Sequence, residues 1–195
     1  MPRQRGATGA ARPTRNSVGL LLFRGDTVLR GDRRLEVLLA HPGGPFWAWR
    51  DGGVWSLPKG EGGAGEDDRT VAAREFEEET GHRPPAGPWI ELGSVVQKAG
   101  KRVVAFAAEG DLDPAMCHSN EVSVEWPPRS GRQQVIPEVD RVAWFTPDEA
   151  RRRLNPAQAP FIDRLEAALA ERSGGPSEGR GSRFAPELVA DQGNR

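Results

Sequence analysis

Residues 66–80, EDDRTVAAREFEEET, limit the possible folds of this chain more than any other segment. They are good helix formers with no internal Gly or Pro. Asp67 or Asp68 can cap the start, and Gly81 suits the position just past the end. The spacing therefore predicts one helix. On it, Glu75, Glu78 and Glu79 share a face, because residues three and four apart are neighbours. Val71, Ala72 and Phe76 fall largely on another side. Such a helix must lay its apolar side on a sheet and leave a row of carboxylates beside it.

That row is unfavourable by itself. Six glutamates lie between Leu57 and Gly81, and Glu77, Glu78 and Glu79 are consecutive. Like charges at helical spacing repel, and the C-terminal end of a helix dipole disfavours each by about 0.3–1 kcal/mol. A hard divalent cation would relieve the conflict, since carboxylate oxygens are ligands for Mg²⁺ or Mn²⁺. The competing reading is a solvated acidic face partly neutralised by Arg69 and Arg74. The context favours the cation. A glycine-containing loop with Lys59 leads into the helix and can approach phosphates closely. Arg74 can hold a neighbouring carboxylate in a fixed direction.

Around this helix, Ser17–Phe23 and Leu35–His41 read as two strands, the first buried on both faces. Residues 43–55 read as a glycine-punctuated loop rich in aromatics. Trp89–Gln97 and Arg102–Gly110 form a hairpin. Residues 113–137 read as a long polar connection, and Arg141–Phe145 as a last strand. Thr146–Leu154 starts with a Thr cap and a Pro. Pro156–Gly174 is a second amphipathic helix, with Phe161, Leu165, Ala168 and Leu169 on one stripe. One sheet system with flanking helices is an α/β arrangement. The domain spans 16–172. Residues 1–15, with Arg3, Arg5, Arg12 and Arg15, read as a disordered basic tail, and 173–195 as a flexible second tail.

Composition excludes several classes. A net charge of −1 gives no overall field for nucleic acid or membrane. Contact with nucleic acid is left to the basic tail, whose plain reading is solvated chain. Cys117 is the single cysteine, so neither an intrachain disulfide nor a cysteine zinc site is available. With no long apolar run, the expectation is a cytoplasmic protein without a membrane span. His41, His82 and His118 show no ligand spacing.

The pattern Gly60-x5-Glu66-x7-Arg74-Glu75-Phe76-x-Glu78-Glu79-x-Gly81 resembles the Nudix box, the signature of Nudix hydrolases. Every fixed position is present. The one departure is His82, where the family has an apolar residue. The resemblance implies a Nudix-type α/β/α sandwich with a mixed sheet. It also implies a divalent-cation-dependent hydrolase that cleaves a pyrophosphate bond in a nucleoside diphosphate linked to X.

By the same resemblance, Glu75, Glu78 and Glu79 are expected metal ligands with the Gly60 carbonyl, holding Mg²⁺ or Mn²⁺. One glutamate doubles as base, Arg74 orients a glutamate, and Glu66 lies near the metal or braces the loop. Lys59 contacts phosphate. Many members recruit a further glutamate from a later loop. Glu138 is best situated for that, ahead of Glu121 and Glu125.

WSLPKG, residues 55–60, resembles the entry to the box in diadenosine polyphosphate hydrolases. Those enzymes often set a Tyr against adenine, and this chain has none. Trp47 or Trp49, with Phe46 and Trp126 as alternatives, can stack instead. The core as a whole is similar to a bacterial group of NTP pyrophosphohydrolases. The expected substrate is a nucleotide, either a dinucleoside polyphosphate or an NTP. The alternatives are a non-catalytic nucleotide sensor and an RNA 5′-end pyrophosphohydrolase.

Overall fold

The computed structural model describes residues 16–25, 34–63, 65–98 and 100–173. The expected tails, 1–15 and all of 173–195 except Ser173, lie outside those residues.

Five strands form the path of a mixed sheet. They are β1 (Ser17–Arg24), β2 (Glu36–Pro42), β4 (Ile90–Val96), β5 (Arg102–Glu109) and β8 (Val139–Phe145), in the order β4-β5-β1-β2-β8. β1 runs parallel to β5 through Ser17↔Val103 to Phe23↔Glu109, and the other pairings are antiparallel. β3 (Lys59–Glu61) also pairs with β1, with Gly60 opposite Val18. Its three residues, with a central glycine, carry too little pattern to be read as a strand from sequence.

β1 is buried along nearly its whole length, as its continuous apolar run predicts. Its side chains alternate between two cores. Val18, Leu20 and Leu22 pack with Val71, Ala72 and Phe76 of α1 (Asp68–Thr80). Leu21 and Phe23 belong to the opposite core. There they join Ala150 of α2 (Pro147–Arg153) and Phe161, Ile162, Leu165 and Leu169 of α3 (Pro160–Ser173). Burying each such large side chain contributes about 1.5–3 kcal/mol. The layers are helix, sheet, helices: an α/β/α sandwich.

Two segments differ from the sequence expectation. The connection 113–137 is not irregular throughout. It holds a 3-10 turn at Pro114–Met116 and an antiparallel hairpin of β6 (Glu121–Glu125) and β7 (Gln133–Pro137). β6 alternates in type and β7 does not, and only Ile136 on them is buried, so hydrophobicity alone does not reveal them. The helix expected from Pro156 begins at Pro160. Residues 156–158 make a 3-10 turn, and Pro160, which lacks an N–H, starts α3 rather than extending a helix from before it.

Candidate active site

The site begins at the ends of α1. Asp67 is the N-cap, and its side chain accepts the Thr70 N–H at 3.0 Å. At the other end Gly81 adopts φ 73°, and its N–H bonds the Glu77 carbonyl. A side chain there would be strained and would collide with the His118 ring. His118 N–H donates to Thr80 O at 3.2 Å, and Asn120 N–H donates to Glu78 O at 3.0 Å. The helix end is thereby stitched to the segment that precedes β6. Glu138 continues the stitching: its N–H donates to Asn120 O at 2.9 Å, and its carbonyl accepts from Gly43 N–H at 2.8 Å. A sequence-distant glutamate is thus held beside α1.

The box carboxylates divide between two environments. Arg74 Nη1 donates to Glu75 Oε1 at 2.6 Å and to Glu78 Oε1 at 3.3 Å. Its Nη2 donates to Glu61 O, and Nε lies 3.5 Å from Glu66 Oε1. Glu66 in turn accepts the Gly63 N–H at 2.8 Å, which holds its carboxyl below the usual range and braces the loop. The Glu75 carboxylate presses against the backbone of Gly60, where any Cβ would overlap it. The glycine at 60 is required by that close approach.

Glu79 is only 6% exposed, and its Oε2 accepts the Lys59 N–H at 3.1 Å. Burial pushes its carboxyl up to about 8, against the pull of Lys59, with Glu138 and Glu75 pushing further. Glu75 is raised as well. Burial is the main cause, opposed by Arg74 and assisted by Glu78 and Glu138. Glu75 therefore lies within electrostatic reach of Glu78, Glu79 and Glu138, and Glu79 of Glu138, although Glu138 is about sixty residues away along the chain.

Lys59, Glu79 and Glu138 line one cavity of about 260 Å³. Trp47 is in its wall as well. Trp49 is not: it is 95% exposed. Glu121 lies on exposed β6, and Glu125 is occupied by the Gly131 N–H. Asn155, Gln158 and Gln97 also line the cavity and were not singled out from sequence. The only sequence signal among them is Asn155 ahead of Pro156, a capping pattern; Gln97 and Gln158 carry none. His41 supports the same wall from behind. Fully buried, it contacts Asp140 and the Arg50 carbonyl, both at 2.7 Å.

Among the described residues, no three His, Cys, Asp or Glu side chains are already gathered as a metal cage. The donor set still fits a hard cation. It is all oxygen, crowded with like charge, and partly desolvated.

The NUDIX domain model matches residues 13–165. The chain belongs to the Nudix family. With every fixed position of the Nudix box in place, it is a pyrophosphohydrolase of that family. Solved structures agree on the fold. An Ap4A hydrolase from C. elegans is 20% identical, covering 80% of this chain and 98% of its own, at a TM-score of 0.53. The NUDIX domain of Shewanella oneidensis NrtR, solved with ADP ribose, is 20% identical, covering 85% and 94%, at 0.55. A mutT/nudix family protein from Listeria innocua is 20% identical, covering 84% and 98%, at 0.54. No curated protein matches this Nudix chain. Among the described residues, no helix is long and apolar enough to cross a membrane.

Proposed function

We propose that this Nudix protein hydrolyses a nucleoside diphosphate linked to X with the help of Mg²⁺ or Mn²⁺, the substrate being a dinucleoside polyphosphate or an NTP. One observation carries the reading. Lys59, Glu79 and Glu138 line a single cavity, and Glu75, which shares Arg74 with Glu78, is within charge range of Glu79 and Glu138.

Glu75, Glu78 and Glu79, with the Gly60 carbonyl, would hold the cation. When bound, it supplies charge neutralisation at the phosphate oxygens and acidifies water. The remaining roles belong to side chains. Arg74 fixes the direction of Glu75 through its 2.6 Å bond and restrains Glu78. Because its guanidinium touches three carboxylates and a carbonyl, it limits their freedom before substrate arrives. Lys59 offers the phosphates a positive charge at the cavity wall. Glu138 accepts the proton of the attacking water, since it borders the cavity without being tied to Arg74. Trp47 provides an aromatic surface for the nucleoside portion. Phosphoryl chemistry asks little covalent work of the protein, so positioning and electrostatics are the main contributions.

The test is chromatographic detection of the cleaved nucleotide products over dinucleoside polyphosphates, NTPs, ADP-ribose, nucleotide sugars and capped RNA, with Mg²⁺ and Mn²⁺. Glu78→Gln is the blank. Turnover of one class by the native protein and not by the variant supports the reading. Equal turnover in both removes Glu78 from the site.

A further inference from the structure

Glu138 differs from the box carboxylates in how it is held. Arg74 grips Glu75 and Glu78, and the Lys59 N–H grips Glu79. The Glu138 side chain is exposed, and among the described residues no hydrogen bond or ion pair reaches its carboxylate. Its placement beside the cavity is left to its backbone.

That backbone is tied on both sides of the residue. The Glu138 N–H donates to Asn120 O at 2.9 Å, and its carbonyl accepts the Gly43 N–H at 2.8 Å. The next N–H, that of Val139, donates to a side chain, Ser119 Oγ, at 3.0 Å. The same hydroxyl lies 3.0 Å from Val139 O and 2.9 Å from Asn120 O, and it has one proton to share between these carbonyls. Ser119 therefore braces both the peptide that follows Glu138 and the carbonyl that receives the Glu138 N–H.

The brace is anchored on α1. His118 N–H donates to Thr80 O and Asn120 N–H to Glu78 O, so Ser119 sits between two bonds to the helix end. Asn120 alone links Glu78 to Glu138, its N–H on one and its carbonyl on the other. Ser119 is half-buried, which limits the water that could take over its bonds. A misplacement of about 1 Å in a reacting group can cost about a hundredfold in rate. An exposed carboxylate without a partner of its own depends on its backbone to avoid that loss.

We propose that Ser119 is a positioning residue for hydrolysis: its hydroxyl fixes the backbone that carries Glu138, and so places the carboxylate that takes the proton of the attacking water. Ser119 acts through Glu138 and not on the substrate. The inference rests on the role given to Glu138 above.

A double-mutant cycle separates this role from a merely structural one. kcat and KM are measured in Mg²⁺ for the native chain, Ser119→Ala, Glu138→Gln and the pair, on the nucleotide that the screen above shows to be cleaved fastest. Ser119→Ala should lower kcat about tenfold with KM little changed. In the Glu138→Gln background the same change should cost nothing more, because no carboxylate is left to place. Ser119→Thr keeps the hydroxyl and should restore most of kcat. Hydrogen exchange at the Glu138 and Val139 amides, followed by nuclear magnetic resonance, should quicken in Ser119→Ala. A native kcat in Ser119→Ala overturns the proposal, as does unchanged amide exchange. So does an equal further loss in the Glu138→Gln background, which would mark a bond that serves the fold alone. Should Ser119→Ala fail to fold, Ser119→Cys keeps the size and weakens the bonds, and the same cycle is read with it. Glu138→Gln at the native rate, or no turnover by the native chain, would sink the reading above and this role with it. A slow Glu138→Gln beside a native-rate Ser119→Ala would sink the positioning role alone.

Discussion

Replacing Glu79 by Gln should stabilise the metal-free protein, and by more as pH rises. Glu79 is 6% exposed, and burial lifts its carboxyl from 4.5 to about 8. Between those two values the folded chain keeps a proton that the unfolded chain has lost. Stability from this group is therefore full below about 4.5, falls by about 1.4 kcal/mol per pH unit, and levels off above about 8. The whole loss is at most about 5 kcal/mol. Gln does not titrate, and its carbonyl can still accept the Lys59 N–H. Urea unfolding in EDTA, from pH 5 to pH 9, measures the difference. The advantage of Glu79→Gln should be smallest at pH 5 and reach a plateau of a few kcal/mol above pH 8. Added Mg²⁺ should remove most of it, because a cation stabilises the ionised carboxylate and has less to hold in the variant. A pH-independent difference would show that Glu79 is not held protonated by burial, and that the charge conflict is settled within the protein itself.

Gly60→Ala puts a methyl into the Glu75 carboxylate, so turnover should fall by about a hundredfold or more through lost positioning, measured as kcat on the best substrate. Gly81→Ala combines a φ of 73° with a collision against His118, and should cost about 1–2 kcal/mol or more in urea unfolding. Arg74→Lys removes a fork that reaches Glu75, Glu78 and the Glu61 carbonyl, so activity should drop far more than the unfolding midpoint. His41→Ala strips a fully buried ring that joins Asp140 to the Arg50 carbonyl, and should cost about 1–3 kcal/mol.

The glutamate helix was legible because its capping, its apolar side and its carboxylate spacing all follow from local rules, and Asp67, Phe76 and Gly81 do what those rules say. β1 was legible because an unbroken apolar run has few alternatives. What sequence could not show are features created by distant contacts. Helical spacing sets Glu75, Glu78 and Glu79 side by side, but Arg74 draws two of them one way and the Lys59 N–H draws the third another. Glu138 reaches the site through a bond from the Gly43 N–H and one to the Asn120 carbonyl, neither of which is a local signal. Trp47 and Trp49 are indistinguishable by type and separation, and only the loop geometry puts one in the wall and the other in solvent. Gln158 is a surface residue by composition. Its complete burial follows from the turn at 156–158 meeting Leu57, a contact spanning about a hundred residues.

The central claim is that the acidic side of α1 exists to hold a divalent cation. Titrating Mn²⁺ into the full protein and following the free ion by electron paramagnetic resonance tests it directly. The account predicts saturable binding by the native chain that weakens at least tenfold in Glu78→Gln, with the fold unchanged by circular dichroism. Mn²⁺ bound equally well by both would contradict it and return those glutamates to a solvated acidic surface.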